Sequence, residues 1–302
     1  MKGVNVMTGF VFLDKGEDMT SFFAASRLRR IFSTKKVGHT GTLDPMATGV
    51  LPVAVGGATR FIDFIADSDK SYKACFLLGK TTDTLDITGQ VLTESEVNVK
   101  REDIEKILPL FTGEIFQVPP MYSALKKDGV RLYDLARQGV EVEREKRKIT
   151  VYSLELTGYE GENEYEIEVS CSKGTYIRTL IDDIGKMLGC GAVMTRLRRT
   201  RANGVDIADC ITLEALNGLC ESGEQESALH SVDSILPYEK ITVTDNQAKR
   251  FSNGGELDTQ RLKMTYPKGI YRVYSHGGNF IGLGEIDGDE SQLKVKRVFV
   301  DL

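Results

Sequence analysis

The run Glu164-Tyr165-Glu166-Ile167-Glu168-Val169-Ser170-Cys171 alternates polar and apolar side chains without a break, and Lys173-Gly174 ends it. A period of two is that of a strand with one dry face: Tyr165, Ile167, Val169 and Cys171 point inward, while Glu164, Glu166, Glu168 and Ser170 point to water. Beyond the glycine the period becomes helical, with Ile177, Leu180, Ile181, Ile184 and Leu188 on one side and Thr175 placed as the N-cap. Working outward, residues 8–13 and 51–55 read as strands, and Tyr72, Ala74, Phe76 and Leu78 alternate along another. A helix capped by Thr20 or Ser21 runs to Phe32. Ala58, Phe61, Ile62 and Ile65 give a helix its buried stripe, and residues 102–111 give another. Strands mixed with helices, without a regular βαβ rhythm, predict an α+β fold.

Residues 240–302 change character, with short β-type runs at 269–275, 279–283 and 294–300. They predict a small β-rich domain (239–302) after a larger one (1–238). The length of 302 residues fits two domains. No stretch has the roughly 18–20 apolar residues of a membrane span, and no secretory signal pattern opens the chain, which predicts a cytoplasmic protein. Five cysteines without a C-x-x-C pair predict reduced thiols.

The net charge of −5 conceals segregation. Residues 21–60 carry six Lys/Arg against one acid, residues 126–148 carry eight against five, and residues 202–239 hold eight acids and no Lys or Arg. Basic runs around one loop suit a polyanionic partner. Other chemistries fail on spacing. Gly79-Lys80-Thr81 lacks the first glycine of a phosphate loop, because Ala74 stands there. Asp287-Gly288-Asp289 lacks the glycine and the terminal acid of a calcium loop, with Gln292 and Val298 in their places. His39, His230 and His276 lie too far apart in sequence to suggest a metal site.

Gly38-His39-Thr40-Gly41-Thr42-Leu43-Asp44-Pro45-Met46-Ala47-Thr48-Gly49-Val50-Leu51-Pro52 sets one acid among glycines and prolines, with Arg27, Arg29, Arg30, Lys35 and Lys36 upstream and Arg60 downstream. This run resembles the catalytic motif of the TruB family of tRNA pseudouridine synthases. The likeness continues, in family order, through Ser68-Asp69-Lys70-Ser71-Tyr72, Thr82-Asp83-Thr84-Leu85-Asp86 with Gly89, Val118-Pro119-Pro120-Met121-Tyr122-Ser123-Ala124-Leu125-Lys126 and Gly174-Thr175-Tyr176-Ile177-Arg178-Thr179-Leu180. One departure falls in the turn after Lys15, where the family commonly has proline at Gly16 and glycine at Asp18.

The resemblance implies a mixed, largely antiparallel sheet flanked by helices, followed by a small PUA-like domain. It implies isomerisation of the T-loop uridine at tRNA position 55, with Asp44 as the essential carboxylate, Tyr72 stacking on the uracil and Arg178 pairing with Asp44. His39 would fill the space the extruded base leaves, and neither a metal nor an organic cofactor is implied. RNA-contacting candidates are His39, Thr40, Gly41 and Tyr176 within the motifs, and Arg60, Lys126, Arg131, Arg137 and Arg199 among the basic runs, with residues 117–150 as an RNA-gripping insertion. Arg196, Arg198 and Arg201 join Arg199 as candidates to line the same channel. The expected protein is a stand-alone monomer acting on the T stem-loop. Its alternatives are a non-catalytic RNA-binding or tRNA-folding protein and a guide-RNA-dependent synthase with protein partners.

Overall fold

The computed structural model describes residues 7–65, 69–262, 267–288 and 291–299, and Glu160 by its backbone. Residues 1–6, Ser68 of the second motif, Asp289 of the calcium-loop reading and Val300 of the last expected strand lie outside them. The chain divides into two compact units: residues 1–44, 51–66 and 208–302 form one, and residues 45–50 and 67–207 form the other.

In the second unit the strands Ala192–Ala202, Lys70–Leu78, Glu164–Cys171, Arg147–Gly161 and Gly113–Gln117 lie side by side in that order, antiparallel throughout. Thr48 and Gly49 run parallel to Arg198 and Arg199, which makes the sheet mixed. The alternation in 164–171 holds: Tyr165, Ile167, Val169 and Cys171 are buried, and Glu168 is exposed and paired with Lys73 at 2.8 Å. Helix Ile177–Leu188 buries Ile177, Leu180, Ile181 and Ile184 and ends at Gly189, whose φ of +80° suits a left-handed cap. Its start differs from expectation. Thr175 is not the cap, because its hydroxyl donates to the Ser172 carbonyl at 2.9 Å, and Tyr176 holds the cap position instead.

Pro109 divides the helix expected at 102–111. Residues Arg101–Ile107 are α-helical, and Leu108–Phe111 tighten into a 3₁₀ turn with the proline at its start, where a missing N–H costs least. Residues 117–150 hold a small hairpin, Lys126–Lys127 against Val130–Arg131, and a short helix, Leu132–Arg137. Asp128 and Gly129 supply the positive φ at both corner positions.

In the first unit Gly9–Lys15 runs parallel to Ile211–Thr212, and Val37–His39 pairs with residues 53–55. Helix Ser21–Ile31 lays Ala24, Ala25, Leu28 and Ile31 on a core of Val11, Leu13, Leu51, Val53 and Val55. Thr20 caps it, accepting from Phe23 N–H at 3.0 Å. The turn ahead of this helix is closed by Lys15, fully buried, whose Nζ donates to the carbonyls of Gly16 and Met19 at 2.8 Å each. Asp18, at the position the family gives to glycine, adopts φ +56°, so the departure in sequence keeps the left-handed corner. The helix expected over residues 58–65 is 3₁₀ (Gly56–Phe64).

Also in this unit, Glu239–Thr242, Gly269–Tyr274, Phe280–Ile286, Gln292–Val298 and Leu257–Asp258 form a five-stranded sheet around Phe251, Val273, Ile286 and Leu293. Among the described residues no helix is long and apolar enough to cross a membrane.

Candidate active site

Asp44 stands at the end of a loop anchored at residues 37–40 and again at Leu43. Val37–His39 is zipped to residues 53–55, and Thr40 N–H continues the ladder to the Pro52 carbonyl at 3.1 Å. Gly41 then turns with φ +61°. Before Asp44, the peptide groups of Leu43 are gripped by one hydroxyl: Ser21 Oγ accepts from Leu43 N–H at 2.8 Å and donates to its carbonyl at 3.1 Å. Ser21 and Leu43 are both buried, and Asp44 itself is half-buried. Because Thr20 does the capping, Ser21 is left for this grip, a division of labour between adjacent hydroxyls that the sequence does not distinguish. His39 lies within reach of Thr42, Nε2 to Oγ1 at 3.4 Å. Arg60 is exposed on the 3₁₀ helix.

Tyr72 is buried in strand Lys70–Leu78 between cross-strand neighbours Val169 and Arg199. The charge run places Arg199 among the expected RNA-contacting cations. The structure buries it to 1% exposure, on the sheet face that also buries Leu197, and its Nε donates to the Val50 carbonyl at 2.8 Å. A guanidinium buried there positions backbone instead of gripping phosphates at the surface. The backbone it holds is close. Gly49 opposite has φ +103°, and a Cβ on it would lie 2.1 Å from the Arg199 carbonyl oxygen. Arg196 and Arg201 are exposed, while Arg198 is half-buried and donates to Thr48 Oγ1 at 3.3 Å.

Arg178 occupies the first turn of its helix and is 5% exposed. Its Nη1 donates to the Thr84 carbonyl at 2.9 Å and lies 3.4 Å from Asp86 Oδ2, and its Nη2 donates to the Tyr122 carbonyl at 2.8 Å. Asp86 is itself saturated on its other oxygen by Thr84 Oγ1, Thr88 N–H and Thr88 Oγ1. The Tyr122 hydroxyl donates to Asp83 at 3.2 Å, and burial first, then that carboxylate, pushes its phenol above the ordinary range. Three of the sequence motifs, at 82–86, 118–126 and 174–180, therefore meet on one guanidinium. The start of its helix is fixed by Gln117, 3% exposed, whose amide donates to the Tyr176 carbonyl at 3.0 Å and accepts its N–H at 2.8 Å.

The remaining candidates lie on the insertion. Lys126 and Arg131 face each other across the hairpin and are exposed. Arg131 and Arg137 both lie over the Tyr133 ring, 5.7 and 5.5 Å from its centroid, which spreads positive charge around an aromatic face. Asp86, Gln117, Ser21 and Tyr122 are the positioning residues that no role was given to from sequence.

With this geometry in place, comparison with known proteins defines the class. Family models described as TruB family pseudouridylate synthase (N terminal domain), tRNA pseudouridylate synthase B C-terminal domain, and Pseudouridine synthase II TruB, C-terminal match residues 29–177, 178–242 and 240–299. The protein is thus a pseudouridine synthase, an isomerase. Similar to it are the tRNA pseudouridine synthase B of Pseudomonas fluorescens strain Pf-5, 46% identical over 287 residues (94% of this chain, 93% of the relative), and that of Escherichia coli O139:H28, 42% identical over 306 residues (98% and 96%). Among solved structures, a Cbf5-Nop10-Gar1 complex matches with a TM-score of 0.74 at 26% identity, covering 98% of this chain and 86% of that one. The chain belongs to the TruB family of pseudouridine synthases.

Proposed function

We propose that the enzyme isomerises the T-loop uridine at position 55 of tRNA, with Asp44 as the reacting carboxylate, Tyr72 as the platform for the extruded uracil and Arg178 as the cation that faces Asp44. The observation that carries the reading is the loop at 38–44. A single acid is held there directly after an anchored stretch of backbone, in a segment flanked by five upstream cations.

The chemistry asks for such an acid. The N1–C1′ bond must break, the uracil must turn in place, and a C5–C1′ bond must form while water is kept from the sugar. A hydrolase of glycosidic bonds uses two carboxylates, one of them to activate water or protonate the leaving group. One ionised aspartate, attacking C1′ or C6 or removing the C2′ proton, serves an isomerisation in which no water adds. A guanidinium opposite it favours the charged form.

Flipping the base costs a few kcal/mol, which stacking on an aromatic ring, worth about 1–3 kcal/mol, and phosphate contacts offset. The exposed cations Arg60, Lys126, Arg131 and Arg137 suit those contacts, and His39, Thr40, Gly41 and Tyr176 suit the nucleotides next to the target. In this reading residues 1–238 carry catalysis and 239–302 form a small accessory β domain of PUA-like type. The enzyme works in the cytoplasm as a monomer on the T stem-loop of bare tRNA.

The test is tritium release from a T stem-loop labelled at uridine C5. Wild-type protein releases tritium, and Asp44→Asn releases none while binding the RNA with little change. Full activity in Asp44→Asn ends the proposal. The likeness to a Cbf5-Nop10-Gar1 complex favours one second reading, an enzyme that needs protein and RNA partners. Turnover of bare tRNA by the purified chain decides against it.

A further inference from the structure

Phe22 shares helical spacing with Ala25 and Leu28, which are buried, and yet its own side chain is 64% exposed; Phe23 beside it is 50% exposed. At about 100° per residue, Phe22, Phe23, Ser26, Arg27, Arg29 and Arg30 share an outward arc of roughly 160°, opposite the buried Ala24, Leu28 and Ile31. Two neighbouring phenylalanines in water are more than scattered surface apolarity. Their place in the fold is specific. Ser21, the residue before Phe22, is bonded to Leu43, so this face begins beside the loop that ends in Asp44.

The charge on this face has one sign. No acid occurs between Asp18 and Asp44. Arg27, Arg29, Arg30, Lys35 and Lys36 are all exposed, and among the described residues none of them forms an ion pair. Acids stand nearby: Glu17 and Asp18 lie in the preceding turn, and Glu214 and Glu221 lie on helix Leu213–Ser222, whose Cys220 thiol is 3.8 Å from the Ile31 carbonyl. The cations pair with none of these. Arg29 instead lies over the Phe22 ring, 5.6 Å from its centroid, which joins a positive charge to an aromatic platform.

We propose that Phe22 stacks on an unpaired base of the substrate RNA other than the target uridine, with Arg27, Arg29 and Arg30 on the phosphates beside that base. The combination of groups selects this occupant. A double helix offers phosphates but no free base face, and would leave both rings in water. A neutral apolar partner would leave five cations unmet. An unpaired nucleotide presents a planar ring and an anion together, and every base has a face on which an aromatic side chain can stack. The inference rests on the reading that the enzyme acts on a tRNA stem-loop, and it adds to that reading a second point of grip outside the reacting nucleotide.

Fluorescence anisotropy of a labelled T stem-loop RNA, titrated with the full chain at several salt concentrations, is the test. Phe22→Ala, which removes an exposed ring, should raise Kd about tenfold without changing the salt dependence, and Phe22→Trp should restore wild-type binding. Arg27→Gln and Arg30→Gln should each lower the slope of log Kd against log salt by about one. The stacked base is then found with RNAs made abasic at each unpaired loop position in turn: at one of them wild type and Phe22→Ala should bind equally. Equal affinity of wild type and Phe22→Ala for the intact loop overturns the proposal, as does a difference that survives every abasic substitution. A change in sedimentation mass in Phe22→Ala with RNA affinity intact also overturns it, and marks the face as a protein contact. Tritium release by the wild-type preparation is read separately. Its absence alongside Phe22-dependent binding would sink the isomerase reading and leave the platform, and the reverse result would do the opposite.

Discussion

Replacing Ser21 with alanine tests whether Asp44 is held from behind. The hydroxyl makes two bonds to one peptide residue, accepting from Leu43 N–H at 2.8 Å and donating to its carbonyl at 3.1 Å, where Ser21 is 1% and Leu43 4% exposed. Alanine removes both and leaves a buried N–H and a buried C=O, each worth about 1–3 kcal/mol when unmet. Alanine's better helix propensity returns about 0.5 kcal/mol, and some relaxation recovers more, so a loss of about 2–4 kcal/mol is expected. Because the freed residue precedes the carboxylate proposed to react, kcat should fall about a hundredfold, with KM nearly unchanged.

The neighbouring Thr20→Ala is the control. It deletes only the exposed bond to Phe23 N–H at 3.0 Å, which costs about 1 kcal/mol, and it leaves the loop gripped. Urea unfolding measures the stabilities, and tritium release measures kcat and KM. If Ser21→Ala and Thr20→Ala prove equal in stability and in kcat, the grip does not hold the acid and the reasoning fails.

Asp86→Ala should destabilise by about 3–5 kcal/mol, because it removes a carboxylate that balances a guanidinium only 5% exposed; a loss below about 1 kcal/mol by chemical denaturation would show that the guanidinium does not depend on Asp86. Gly49→Ala should cost several times more than Gly129→Ala, as judged by soluble yield and Tm: both glycines have positive φ, but only at Gly49 does the new Cβ meet backbone, 2.1 Å from the Arg199 oxygen. Tyr274 is held protonated up to about pH 12 by burial and by its hydrogen bond to Asp233. Above about pH 10 an unfolded tyrosine ionises while this one does not, so stability falls between pH 10 and 12, and Tyr274→Phe should unfold with a shallower alkaline slope than wild type.

What could be read from the sequence is what repeats along it. The strand at 164–171 and the helix at 177–188 declared themselves because burial imposes periods of two and 3.6 on adjacent residues. Side-chain grips on distant backbone leave no such trace. Ser21 and Leu43 are 22 residues apart, Gln117 and Tyr176 are 59 apart, and Arg178 and Asp86 are 92 apart. Nothing local marks either partner. Thr175 misled for the opposite reason, since a local carbonyl, Ser172, outcompeted the helix for its hydroxyl. Arg199 carried a usable signal that the charge run masked: it lies two residues from buried Leu197 and so shares its face in a strand.

Arg178 joins these lessons to the chemistry. A cation in the first helical turn opposes the helix dipole at a cost of about 0.3–1 kcal/mol, and burial adds to that cost. The bonds to the Thr84 and Tyr122 carbonyls, at 2.9 and 2.8 Å, are shorter than the 3.4 Å contact to Asp86, so the carbonyls set the orientation and the carboxylate balances the charge. Asp86→Asn should therefore leave the guanidinium in place while raising its net positive influence, whereas Asp86→Ala should also release the Thr88 bonds and let the 82–88 turn move. A difference in kcat between these two variants separates charge from position. If they behave alike, orientation by the carbonyls is not what Arg178 depends on.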